Sequence, residues 1–182
     1  MADVSAMTAA SPEDRAPVGK GWISRFGLLY LGQNIAWATP SQLLIANQIL
    51  IWYPHDKERM LGWVMGLGGL ASMIASPLVG VLSDRTRSRF GRRAPWMLGG
   101  ALAAAAALVC AAYAPSYVYL LVIWIFFQVV LAFSITSGQT VPPDRVPTQQ
   151  FGIISGVMGM TYTAAVVLGS VVGAMFSIKL AY

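Results

Sequence analysis

Residues 80–96 read GVLSDRTRSRFGRRAPW, and the rest of the chain is best read outward from them. They form a short basic stretch between two long apolar runs. Within it, Gly80, Asp84, Arg85, Gly91, Arg92 and Arg93 follow the order G-x-L-x-D-R-(x)n-G-R-R. Five arginines beside an apolar run satisfy the rule that loops kept on the cytoplasmic side are rich in Lys and Arg. That rule accounts for the charge but not for two placed glycines and an aspartate, so the stretch also reads as a motif.

Composition places this loop in a membrane protein. Hydrophobic residues make up 57% of the chain and charged residues 10%, with a mean hydropathy of +0.64. A soluble domain carries about a quarter charged residues. The net charge of +5 does not imply nucleic acid, because nine of the twelve Lys and Arg fall in segments 15–25, 85–93 and 145, which alternate with apolar runs. That pattern is topology rather than a phosphate-binding surface. Residues 1–21 are polar, mixed in charge and lack an apolar stretch, so they read as a disordered cytoplasmic tail without a signal peptide. Cys110 stands alone in an Ala/Leu/Val run, as a small packing or lipid-facing residue.

A helix needs about 20 mostly apolar residues to cross the hydrocarbon. Five segments qualify, at 23–51, 60–82, 95–114, 117–140 and 151–178. Arg15, Lys20 and Arg25 precede the first, the five arginines follow the second, and Arg145 follows the fourth. This bias predicts a cytoplasmic N-terminus in the plasma membrane, with both the arginine loop and PPDRVPTQQ on that side. Trp22 and Trp96 then mark inner boundaries, and Trp52, Tyr53, Trp63, Tyr113 and Tyr117 outer ones.

Helix faces separate polar stripes from packing stripes. In the first span Tyr30, Asn34, Trp37, Ser41 and Gln48 lie within about 60° of one another at 100° per residue. Such a stripe cannot face lipid, so it lines a cavity or bonds neighbouring helices. Pro40 removes the hydrogen bond to the Ala36 carbonyl, a break tolerated where backbone lines a cavity. The fourth span aligns Trp124, Gln128, Ile135 and Gln139. Asn34, Trp37, Ser41, Gln128 and Gln139 are therefore the candidate solute-binding residues, since an aromatic beside amides suits a sugar or another neutral polar solute. The third span, MLGGALAAAAALVCAAYA, has no polar face. Gly62, Gly66, Gly69 and Gly80 share a face of the second span, while Gly152, Gly156, Gly169 and Gly173 recur at GxxxG spacing in the fifth. Both read as helix-packing seams.

The arginine loop resembles the loop between the second and third helices of the major facilitator superfamily, and its S-D-R-x-x-S-R-F-G-R-R form is similar to that of sugar:cation symporters, the sucrose symporters among them. The resemblance implies the all-α membrane fold of that family, here its N-terminal five helices, with a sixth helix and a C-terminal half to complete about twelve. It also implies alternating access, a peripheral third helix, and seams on the second and fifth helices that meet the other half. Asp84 would meet arginines of its own loop and a helix N-terminus of that half. PPDRVPTQQFG partly echoes the motif, with Asp144, Pro147 and Gly152 in place but Phe151 where an Arg often stands. LGSVVGAMF has Ser170 where drug antiporters carry a Pro.

No span has an Asp, Glu, Lys, Arg or His in its interior. Intramembrane ionisable groups usually mark ion pathways, so cation coupling has no carboxylate in these helices. His55, in the loop HDKER, reads as a solvated residue rather than a ligand. No nucleophile–base pair, metal cluster or phosphate loop appears, so neither an enzyme nor a bound cofactor or metal is expected. The expected function is secondary or facilitated transport of a small neutral polar solute, a sugar foremost. The alternative is a non-transporting module that needs a partner chain.

Overall fold

In hydrocarbon every backbone N–H and C=O must be satisfied within its own segment, so apolar runs of this length fold as helices. The computed structural model describes residues 15–86, 88–89 and 93–175. Their elements are α1 (Lys20–Thr39), a π turn (Pro40–Leu44), α2 (Ile45–Trp52), α3 (Lys57–Arg85), α4 (Ala94–Ala112), α5 (Tyr117–Gln139), the short α6 (Val141–Arg145), a 3-10 turn (Thr148–Gln150) and α7 (Phe151–Met175). Lys57–Arg85, Ala94–Ala112, Tyr117–Arg145 and Thr148–Met175 are each long and apolar enough to cross a membrane. With the run from α1 to α2 they make a multi-pass, all-α membrane protein.

Helix starts follow local chemistry. Ser116 caps α5, its hydroxyl oxygen accepting from the Tyr119 N–H, and Pro95 occupies the first turn of α4, where a missing N–H costs nothing.

α5 is the centre of the bundle, with α3 and α4 packed along it, while α1 lies chiefly against α7. The larger core gathers Leu120, Trp124, Phe127 and Leu131 of α5 around Val64, Ala104, Ala107, Ala111, Ile45 and Ile49. A smaller one joins Phe26 and Tyr30 of α1 to Val146 and Ile154. Trp22, Phe26 and Tyr30 stack along α1 at ring spacings of 5.3 Å. Large side chains such as Leu28, Met73, Leu102 and Met160 are left exposed. In water that would be an aggregation surface, and in a bilayer it is the lipid face.

One expectation is corrected here. The disordered tail over 1–21 falls partly outside the described residues, but Arg15–Gly19 is an ordered strap and Lys20 is already helical. The Val18 N–H donates to Gln150 Oε1 at 2.8 Å, Gln150 Nε2 donates to the Val18 carbonyl at 3.2 Å, and the Arg15 guanidinium donates to the Pro143 carbonyl. The glycine seams, expected to meet the other half, stand open: no described residue lies within 4 Å of a Cβ placed at Gly62, Gly66, Gly69, Gly80, Gly152 or Gly156. The buried face of α3 instead follows Val64, Gly68, Ala75, Val79 and Ser83, because the wide side chains of α5 need a mixed face of branched and small residues to interlock with. Gly169 and Gly173 do pack, against Thr39 and Leu43 of the first helical run.

Candidate functional site

The site begins at the π turn. Pro40 has no N–H to give the Ala36 carbonyl, and the ladder widens there, so that the Ile45 N–H donates to the Pro40 carbonyl five residues back. The Ser41 hydroxyl donates to the Trp37 carbonyl at 2.6 Å and quiets a neighbouring loose acceptor. One extra residue in a turn rotates all that follows by about 100°. Asn34 and Trp37, before the turn, keep the stripe's direction. Beyond it Gln48 points elsewhere, donating to the Ala111 carbonyl of α4 at 2.9 Å.

Asn34 and Trp37 open onto a cavity of about 330 Å³ between α1, α3, α5 and α7. α5 contributes Gln128, Thr136 and Gln139, backed by Leu131, Ala132 and Ile135, α3 contributes Ser72 and Ser76, and α7 contributes Tyr162. Four of the five candidate residues are thus brought together: Asn34, Trp37, Gln128 and Gln139. Ser41 is not among the lining residues, and its hydroxyl is already engaged by the Trp37 carbonyl.

The sequence reading did not count Ser72, Ser76, Thr136 or Tyr162 among the solute-binding candidates. The spacing of Ser72 and Ser76, one turn apart and next to the glycine stripe, was the available signal. Ser76 donates to the Ser72 carbonyl at 2.8 Å and so turns its lone pairs outward. Asn34 Nδ2 is buried and has no hydrogen-bond acceptor among the described residues. Amides that both donate and accept, three hydroxyls besides a phenol, and an indole face make a lining suited to hydroxyl-rich, uncharged molecules. It contains no Asp, Glu, Lys, Arg or His.

At the arginine-loop end, Arg93 joins the two loops that the motif reading had paired. Its guanidinium contacts Asp144 at 2.8 Å and donates to the Thr140 carbonyl, with Arg93 largely buried and Asp144 half exposed. Trp96 Nε1 donates to the Thr86 hydroxyl at 2.8 Å and closes the loop's shoulders. Asp84 and Arg85 are exposed at the end of α3, and among the described residues Asp84 makes no ion pair. Gly91 and Arg92 lie outside the described residues. His55 is exposed, and among the described residues no group of His, Cys, Asp and Glu is placed to hold a metal.

Known proteins resemble the chain over part of its length. An uncharacterized symporter of Synechocystis sp. is 56% identical over 41 residues, covering 22% of this chain and 8% of that protein. Sucrose transport protein SUT1 of Oryza sativa subsp. japonica is 31% identical over 103 residues, 57% of this chain and 18% of the relative. Sucrose transport protein SUC4 of Arabidopsis thaliana is 33% identical over 89 residues, 49% of this chain and 17% of the relative. The matched stretch is thus less than a fifth of each relative's length. No solved structure is significantly similar. A sequence profile of the Major Facilitator Superfamily matches residues 26–181, nearly the whole of the apolar region. With four helices long and apolar enough to cross a membrane and a polar cavity among its helices, the chain belongs to the Major Facilitator Superfamily.

Proposed function

We propose that the protein moves a small neutral sugar across the plasma membrane, and that the cavity of Asn34, Trp37, Gln128 and Gln139 is its solute site. The observation that carries this reading is the lining itself: amides, hydroxyls and an indole, with no charged group, between four helices. The sucrose transport proteins among the relatives support the solute class. Alternating access would swing this bundle against a second one about the cavity. The open glycine faces of α3 and α7, where no described residue approaches Gly62, Gly66, Gly69, Gly152 or Gly156, are the natural seats for that second bundle, whether in the same polypeptide or in a partner chain. A coupling cation finds no carboxylate in this cavity, so any ion site belongs elsewhere.

Uptake of labelled glucose, maltose and sucrose by the full-length protein in liposomes tests the site. Asn34→Ala and Gln128→Ala should each raise the half-saturation constant while expression holds. One lost hydrogen bond to a neutral solute costs about 0.5–1.5 kcal/mol, which is roughly two- to tenfold in affinity. Residues that only glue helices would instead lower membrane abundance and leave affinity unchanged.

The proposed orientation, N-terminus and arginine loop inside, has its own test. Single cysteines at Ser88 and His55 should react with an impermeant reagent from outside only at position 55. Labelling of position 88 from outside would invert the topology.

A further inference from the structure

α3 and α5 meet where Gly68 faces Trp124. A Cβ at Gly68 would lie 2.7 Å from Trp124 Nε1, 2.8 Å from Trp124 Cδ1 and 3.1 Å from Gln128 Cγ. Those separations are shorter than van der Waals contact, so a side chain at position 68 forces a neighbour to move. The indole edge takes the two closest contacts, and it is tightly held: it is 1% exposed, stacks on Phe127 at 4.9 Å and sits in the core with Val64 and Leu120. Gln128, one turn along α5, is only partly buried and lines the cavity, so displacement of the α5 face at this point is passed to it. Core filling alone does not account for the indole, because Trp124 Nε1 is a buried donor without an acceptor. A phenylalanine would fill the same core without stranding an N–H.

We propose that Gly68 and Trp124 are positioning residues for solute specificity: the Nε1–Cδ1 edge of the indole, seated against the bare backbone of Gly68, sets the space left for the stem of Gln128 one turn along α5, and hence how far its amide stands into the cavity and how large a sugar the cavity admits. The inference rests on the solute-site reading given above. Adding bulk at position 68 pushes Gln128 inward and narrows the cavity, so a disaccharide loses more than a monosaccharide. Ser72, one turn further along α3, lines the same wall and is left in place by the change.

The test measures uptake of labelled glucose and maltose per folded transporter, with the full-length protein in liposomes. Gly68→Ala should raise the half-saturation constant for maltose about fivefold relative to that for glucose. Adding Trp124→Phe, which removes the indole atoms beneath the new methyl, should return the ratio toward its starting value. If Gly68→Ala prevents folding, Trp124→Phe alone carries the test, because a less supported Gln128 should shift the maltose-to-glucose ratio in the opposite direction. An equal change for both sugars, or folded variants with unaltered ratios, would overturn the inference. Gln128→Ala separates the two readings. If it leaves both constants unchanged, the solute site itself is wrong. If it moves them while the Gly68 and Trp124 variants do not, only the positioning role fails.

Discussion

Replacing Gly100 with valine is expected to remove the folded protein from the membrane. A Cβ there would lie 2.7 Å from the Val130 carbonyl oxygen, 2.8 Å from the Ser134 nitrogen and 3.0 Å from Phe133 Cβ. Two of those three atoms are backbone, so no rotamer change relieves the clash, and α4 must lift away from α5. Lifting it also breaks a relay in which Gln33 Nε2 donates to the Ser134 hydroxyl at 2.7 Å and that hydroxyl donates to the Met97 carbonyl at 3.0 Å. Overpacking of this kind costs about 3 kcal/mol or more when backbone has to move, a large part of the ~5–15 kcal/mol that holds a domain together. The neighbouring Gly99 is an internal control. Nothing lies within 4 Å of its Cβ, so Gly99→Val should leave abundance and monodispersity unchanged. Size-exclusion chromatography of tagged full-length protein in mild detergent compares the two. Equal behaviour would mean that α4 and α5 do not meet at Gly100.

The second large effect is expected at Gly169→Val, on the seam between α1 and α7. A Cβ at Gly169 would lie 2.8 Å from Thr39 Oγ1 and 3.1 Å from both the nitrogen and Cα of Thr39. Thr39 immediately precedes the π turn, two residues after Trp37, so separating this seam displaces a cavity wall as well as weakening the bundle. Loss of about 2 kcal/mol of stability is expected, together with a fall in maximal uptake by whatever folds. Gly169→Ala should show a milder form of both. Thr39→Ala in the same background should restore only part of the loss, since the backbone atoms of Thr39 remain in the way. Full recovery would mean that the hydroxyl alone made the contact. Thermal unfolding in detergent and liposome uptake read the two parts separately.

The helical, membrane-crossing character of the chain was legible because length and apolarity leave hydrocarbon-spanning segments little choice. Most of the polar lining was legible for a related reason: amides in an apolar run must face protein or solute, and Asn34, Trp37, Gln128 and Gln139 do line the cavity. Gln48 was misplaced by one assumption, that 100° per residue holds across Pro40. The sequence shows that a proline breaks the ladder there, but not that the break opens into a π turn rather than a kink. The glycines illustrate a different limit. Periodicity grouped Gly62, Gly66 and Gly69 into one seam, yet it cannot say which neighbour a helix faces. The contact inside this chain fell instead to Gly68, a position set by the width of Trp124 on another helix. The ion pair of Arg93 with Asp144 was illegible as a pair, because its partners belong to loops far apart in sequence.

The strap at Arg15–Gly19 has a consequence for the order of assembly. Its partner Gln150 lies 132 residues downstream of Val18, and α7, against which α1 chiefly packs, follows later still. Of the described helices, the one earliest in the chain is therefore among the last to be fully seated. α4 and α5, adjacent in sequence and packed along each other, can pair while α1 still lacks its chief partner, α7. Until the fifth run is inserted, Val18 has no partner and Phe26 and Tyr30 lack Val146 and Ile154. A nascent chain halted between the fourth and fifth runs should thus expose α1 to the membrane quality-control machinery, and release should coincide with closure of the strap.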